Sequence, residues 1–228
     1  DGAGIPLTDE QMNKLYSTGA TEPTQAQLEI HVSTVDELIA AIGPNVDIIM
    51  ENHSRPDAQS AVQLGRAVQK YNIFYFEEPN TPNPKTAKFI SSKLSMPIAH
   101  GERVYSRWQY APFFEDQSIQ VIQPDLGNCG GLTEGKKICD MAYVYDISVQ
   151  AHVCASPLST AVALHLESVI PNFVIHEHHT NNLKPWNKEL CTVDWQPVDG
   201  KFKVPEGPGL GCEFTDKVLN TENKIIVK

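Results

Sequence analysis

Six ionisable residues recur along this chain at nearly one interval. Glu51, Glu77, Glu102, Asp125, His152 and Glu177 are separated by 26, 25, 23, 27 and 25 positions. The carboxylates Glu51, Glu77 and Glu102 would form a hard, oxygen-only ligand set. Such a set suits Mg²⁺, which accepts carboxylates and keeps positions for water and substrate oxygens. Zinc ranks lower, because it recruits His or Cys more heavily. A Mg²⁺ ion bound to a substrate carboxylate stabilises the enediolate left when the adjacent carbon loses its proton. Removing that proton needs a base titrating near neutrality. His152 is the candidate, with Asp125 one interval earlier to orient and charge its imidazole. His53 stands two residues past Glu51 and so points to the same side of an extended strand end. It is the candidate acid for helping a hydroxide leave.

Each of these residues has a plainer reading. A single histidine near a strand end is more often a hydrogen-bonded structural residue, and strand ends are polar anyway because they face water. HEHH at 176–179 suggests a zinc cluster, but adjacent residues on an extended segment diverge, and Glu177 is favoured as the inward group. Glu78, beside Glu77, should point the opposite way and serve a structural role. GNCGG at 127–131 reads as a tight turn into a helix rather than a phosphate cradle, since no GxGxxG or Walker pattern accompanies it.

The elements that must position these groups alternate. Short β-rich runs lie at 46–50, 73–76, 97–100, 119–123, 147–151 and 173–176. Between them, helical stretches fall at roughly 58–70, 84–93, 107–116, 131–144 and 157–168, where apolar residues recur three to four apart, as in Ala61, Leu64 and Val68. Strand runs that are apolar nearly throughout suit parallel strands buried on both faces. Alternating βα units imply a parallel sheet, open or closed. Each of the six ionisable residues sits at or just past the C-terminal end of a strand. In an open sheet six such ends would be spread across its width. In a barrel they converge on one mouth, where barrel enzymes carry their chemistry. Beyond about 180 the chain is rich in Pro and Gly, with a hairpin expected around Asp199-Gly200.

Bulk properties restrict the partners. The 228 residues are 41% hydrophobic and 20% charged, an ordinary globular composition. A formal net charge of −10 argues against a nucleic-acid footprint or an anionic membrane surface. It leaves an anionic substrate open, because a bound cation dominates the local charge. No apolar run approaches a membrane span, and DGAGIPLTDEQ is unlike a signal peptide. The five cysteines are widely spaced with no CxxC pair, which reads as free thiols in a reducing compartment, by default the cytoplasm.

Several motifs in order now carry a resemblance. EEP at 77–79, GER at 101–103, QPDLGNCGG at 123–131, the AH of 151–152 and PGLG at 208–211 resemble the mandelate racemase subgroup of the enolase superfamily. The likeness is closer to its acid-sugar dehydratases, of the galactonate and mannonate dehydratase type, and runs from about 46 to 212. It implies an α/β fold, the modified (β/α)₇β TIM-like barrel of the superfamily. It implies Mg²⁺ on Glu51, Glu77 and Glu102, an Asp125–His152 dyad, His53 as the second catalytic histidine, and Glu177 as the acid that hydrogen-bonds the enediolate. The implied enzyme is a hydro-lyase converting an aldonic acid to a 2-keto-3-deoxy acid, with a racemase or epimerase, or a non-catalytic truncated homologue, as alternatives. A homo-oligomer acting on a small sugar acid, with no nucleic-acid or membrane partner, is the implied setting. Glu51 departs from the aspartate usual at the first ligand position by one methylene. The N-terminal capping domain and the first strand or strands of the family have no counterpart. Residues 1–45 are therefore expected to be a partial early barrel segment, with a helix at 31–43. Residues 46–180 are expected to form the catalytic units, and 181–228 to complete the barrel.

Overall fold

The computed structural model describes residues 24–221. The chain falls into two units, one of residues 1–101 and 111–121, the other of residues 102–110 and 122–228.

In the first unit, α1 (Gln25–Ile42) begins at a capping box: Gln27 donates its amide to the Thr24 hydroxyl at 3.3 Å, and Thr24 donates its own to Gln27 Oε1 at 2.7 Å. It stops at Gly43, whose φ of 81° no side chain adopts easily. The helix thus starts earlier than the expected 31–43, at Gln25. The start of the expected early barrel segment, residues 1–23, lies outside the described residues.

Three parallel strands follow: β1 (Ile49–Glu51), β2 (Tyr75–Glu77) and β3 (Ile98–His100). Glu51 pairs with Glu77, and Glu77 in turn with Ala99, so the strand ends lie level. Between them run α2 (Ala58–Val68), capped by Asp57, and α3 (Pro84–Ser91), capped by Asn83 with Pro84 in the first turn. The predicted stripe Ala61, Leu64 and Val68 is buried. Tyr75, Ala99 and Val121 form a core cluster.

The next helix, α4 (Arg107–Glu115), is shared between the units, as is β4 (Val121–Ile122). In the second unit come α5 (Gly131–Val144), β5 (Ser148–Val149) and α6 (Pro157–Glu167). The predicted GNCGG turn is present: Gly130 and Gly131 take φ of 111° and 75°, and the Gly131 amide bonds Leu126 O at 3.1 Å as α5 starts. Ala151, Val153 and Ala163 form a core cluster of this unit.

The strands are shorter than the apolar runs that announced them. The expected strand at 173–176 is reduced to one bridge, Val149 to Phe173. An apolar run marks burial; a strand needs a paired neighbour on the ladder, and Phe173 and Ile175 are already 40% and 47% exposed. Two short helices, α7 (Pro185–Lys188) and α8 (Asp216–Leu219), complete the second unit. The hairpin at Asp199-Gly200 is present, with Val198 and Lys201 exchanging both backbone hydrogen bonds and both turn residues at positive φ.

Candidate active site

In the first unit the groups are held on the ends of β1 to β3. Glu51 is the last residue of β1 and exposed, while Glu77 ends β2 and is 8% exposed. His53 does not continue an extended strand. Its φ is 51° and that of Ser54 is 61°, so the alternation argument for its direction fails. The left-handed turn nonetheless brings ligand atoms of Glu51 and His53 within 4.8 Å of one another.

Glu78 carries a left-handed φ of 42°, a conformation that costs a non-glycine residue about 1–3 kcal/mol and persists only where surroundings hold it. What holds it is a fully buried carboxylate, the structural role expected of it. Glu78 Oε1 accepts the Gly101 amide at 3.1 Å and lies 3.2 Å from His100 Nδ1, while Oε2 accepts the Ser54 hydroxyl. Burial alone would push this carboxyl up. The hydrogen bond and charge of His100, with Ser54 and Gly101, outweigh it and hold Glu78 at about 2. One side chain thereby ties together the segments that follow all three strands.

In the second unit the acid–base groups come together. Asp125 and His152 are bridge partners on adjacent parallel segments, one βα unit apart. His152 Nδ1 lies 2.7 Å from Asp125 Oδ2, and its Nε2 lies 2.9 Å from Glu102 Oε2. Arg103 also pairs with the Glu102 carboxylate. Asp125 is fixed from behind by the Gly127 amide at 2.7 Å. A Cβ at Gly127 would sit 3.0 Å from Asp125 Oδ1, so the absence of a side chain lets the turn close over the carboxylate.

Burial works to lower the pKa of His152, but the Asp125 hydrogen bond and the charges of Glu177 and Asp125 carry it above the ordinary histidine value. Burial would raise Asp125, yet the His152 hydrogen bond and the Gly127 amide hold it below the usual carboxylate range. Asp125 is therefore a carboxylate beside a histidine whose hold on a proton is strengthened, with Nδ1 committed to Asp125 and Nε2 turned toward Glu102.

Glu177 reaches the same region: its Oε2 accepts the Val153 amide at 2.7 Å and the Gln150 side-chain amide at 3.2 Å. Its neighbours in HEHH diverge, as expected. His176 Nδ1 lies 2.6 Å from Glu167, His178 packs edge-on to Phe202, and His179 caps the turn at Asn181. Behind Glu177 runs a buried relay: Gln123 donates to Gln150 Oε1 at 2.7 Å, and Gln150 spends its amide hydrogens on Ala151 O and Glu177.

Sequence reasoning missed His100, Arg103 and Gln150, which hold Glu78, Glu102 and Glu177 in place. Arg103 carried a signal, standing beside a candidate ligand in GER. His100 and Gln150 sit within or beside apolar strands and carried none. For a cation, the first unit offers the Glu51 carboxylate with His53 beside it and, at the end of β2, the Glu77 carboxylate. Their chemistry fits a hard divalent ion.

Parallel strands that end in carboxylates, and βα units that end in an Asp–His pair, are the arrangement on which α/β barrel enzymes carry their chemistry. The sequence profile described as enolase C-terminal domain-like matches residues 11–218. The chain belongs to the enolase superfamily through this domain. It is 31% identical over 186 residues to a D-xylonate dehydratase of Haloferax volcanii, covering 81% of this chain and 45% of that protein. It is 30% identical over 206 residues to a D-galactonate dehydratase of Pectobacterium atrosepticum, covering 87% of this chain and 53% of that protein. A solved enolase-superfamily structure from Salmonella Typhimurium superposes with a TM-score of 0.85 at 48% identity, covering 87% of this chain and 51% of that one. The chain thus spans about half the length of the curated relatives it matches. No helix among the described residues is long and apolar enough to cross a membrane.

Proposed function

We propose that this chain supplies the proton-transfer and metal-binding groups of a Mg²⁺-dependent sugar-acid dehydratase, and that its βα units belong to a (β/α)₇β barrel. The observation that carries the reading is the Asp125–His152 pair, in which Nδ1 is committed to Asp125 at 2.7 Å and Nε2 is directed at the carboxylate of Glu102, a proposed cation ligand, at 2.9 Å. Sugar-acid dehydratases among the relatives supply the substrate class.

Glu51, Glu77 and Glu102 would hold the cation, which when bound neutralises the substrate carboxylate and the charge that grows on it. His152 Nε2 takes the proton from C2 of the aldonic acid. Asp125 stabilises the imidazolium that results. His53 donates a proton to the C3 hydroxyl, which leaves as water. Glu177 accepts a hydrogen bond from the substrate, its own position fixed by Val153 and Gln150. Tautomerisation of the enol gives the 2-keto-3-deoxy acid. The two histidines favour dehydration over racemisation, because one acid must serve the leaving hydroxyl.

The test is incubation of the full-length protein with Mg²⁺ and a panel of aldonic acids including D-xylonate and D-galactonate, with assay of 2-keto-3-deoxy products. The expected result is metal-dependent keto-acid formation that His152→Asn abolishes. Epimerisation without keto acid would replace dehydration with the racemase reading. Tight Mg²⁺ binding with no turnover on any sugar acid would favour a non-catalytic homologue.

A further inference from the structure

The Asp125–His152 pair stands on a second pair that the proposed chemistry does not touch. Gln150 N donates to Ile122 O at 3.0 Å and His152 N to Pro124 O at 3.3 Å, so Gln123 faces Gln150 two residues before Asp125 faces His152. The same two segments therefore carry two rungs. In the first, Gln123 Nε2 donates to Gln150 Oε1 at 2.7 Å; in the second, Asp125 Oδ2 meets His152 Nδ1 at 2.7 Å. The first rung is sealed from solvent, with Gln123 at 0% and Gln150 at 2% exposure.

Glu177 is gripped from either side of the base. Its Oε2 accepts from the Gln150 amide at 3.2 Å and from the Val153 N–H at 2.7 Å, and His152 lies between those two residues in the chain. Neither bond uses Oε1, the oxygen left for a substrate. Two donors converging on one oxygen place the carboxylate against residues 150–153, and so against the imidazole.

This placement has a direction and a cost. An amide side chain has one accepting and one donating end. Because Gln123 occupies Gln150 Oε1, Gln150 must turn its NH₂ toward Glu177. Gln123 in turn is left with its Oε1 buried and without a hydrogen-bond partner among the described residues. A buried acceptor left unsatisfied calls for a compensating role. Orienting Gln150 supplies one, since the opposite orientation would set an amide oxygen against the Glu177 carboxylate.

We propose that Gln150 is a positioning residue, oriented by Gln123, that sets the Glu177 carboxylate where the enediolate forms beside His152. The chemistry in this inference rests on the dehydratase reading; the placement rests on the hydrogen bonds alone. A contact made to the enediolate, and weaker in the bound aldonate, is felt in kcat more than in KM.

The test uses the full-length protein carrying Gln150→Met, which keeps an unbranched side chain of similar length and removes both ends of the amide. On a sugar acid that wild type turns over, kcat should fall about 10²-fold with KM unchanged within about twofold. Amide hydrogen exchange at Val153 should quicken at least about tenfold as Glu177 comes loose. The single change also strands Gln123, so the urea midpoint should drop. Adding Gln123→Met removes the stranded group and should return the midpoint toward wild type, while kcat stays low and Val153 exchange stays fast. A role in interior packing alone would not give that split. The double variant also serves if Gln150→Met by itself does not fold. Val153 exchange unchanged from wild type would overturn the proposal, as would a raised KM at constant kcat, or kcat recovering together with the midpoint in the double variant. Wild-type protein that turns over no sugar acid would sink the dehydratase reading, and the Val153 exchange rate would then decide the placement without it.

Discussion

Replacing Glu78 with Gln tests whether one buried carboxylate holds the strand ends together. The native side chain is fully buried, and its pKa of about 2 lies well below the ordinary carboxylate value of 4.5. By linkage that difference is worth about 3 kcal/mol of folding stability at neutral pH. The folded pKa is depressed, so this stability is complete above the unfolded value and is lost as pH falls toward the folded one. At pH 3 less than half of it should remain. Gln also presents an NH₂ to donors, which adds a cost that does not vary with pH. The diagnostic is therefore the pH-dependent part. Urea denaturation of wild type and Glu78→Gln at pH 7 and pH 3 should show the gap between them shrinking by about 2 kcal/mol. Other carboxylates titrate equally in both proteins and cancel. A gap unchanged between the two pH values would refute the argument that the His100, Ser54 and Gly101 contacts outweigh burial.

Asp125→Asn keeps a hydrogen-bond acceptor beside His152 Nδ1 but removes the charge. The base should then lose its protons at lower pH, moving the acid limb of the kcat/KM profile down, with turnover reduced by about 10²–10⁴-fold; an unmoved limb would separate Asp125 from the base. Glu77→Gln should weaken Mg²⁺ binding in titration calorimetry at least about tenfold, and chelation should abolish a turnover that added Mg²⁺ restores. Unchanged affinity would remove Glu77 from the ligand set. A Cβ at Gly65 would lie 2.9 Å from Leu94 Cδ2 and 3.2 Å from its Cγ. Overpacking of about 1–3 kcal/mol should exceed the roughly 1 kcal/mol that alanine gains in a helix, so Gly65→Ala should lower the urea midpoint, and a raised midpoint would show that Leu94 simply moves aside.

The helices were the most legible part of the sequence because their signals are local. The GNCGG turn marks the start of α5, and the stripe of Ala61, Leu64 and Val68 marks the buried face of α2. Strand ends were less legible, since pairing depends on a neighbour about one βα unit away, and the run at 173–176 paired only at Phe173. The Asp125–His152 pair could be anticipated because equivalent positions on successive parallel segments fall beside each other. The direction of His53 could not, because its left-handed backbone follows from contacts that Ser54 makes with Glu78 and Asn80, not from its own residue type. His100 stayed hidden for the same reason: its partner Glu78 lies 22 positions away.

The relay from Gln123 through Gln150 to Glu177 has a direction. Each amide has one donating and one accepting end, and Gln150 has committed both of its own. A Glu at 150 would set two carboxylates against each other, and a Met would strand Gln123 and Glu177 without their shared partner. Neither single replacement leads to a satisfied interior. Either change is better accommodated when a partner changes with it, which couples the three positions to one another.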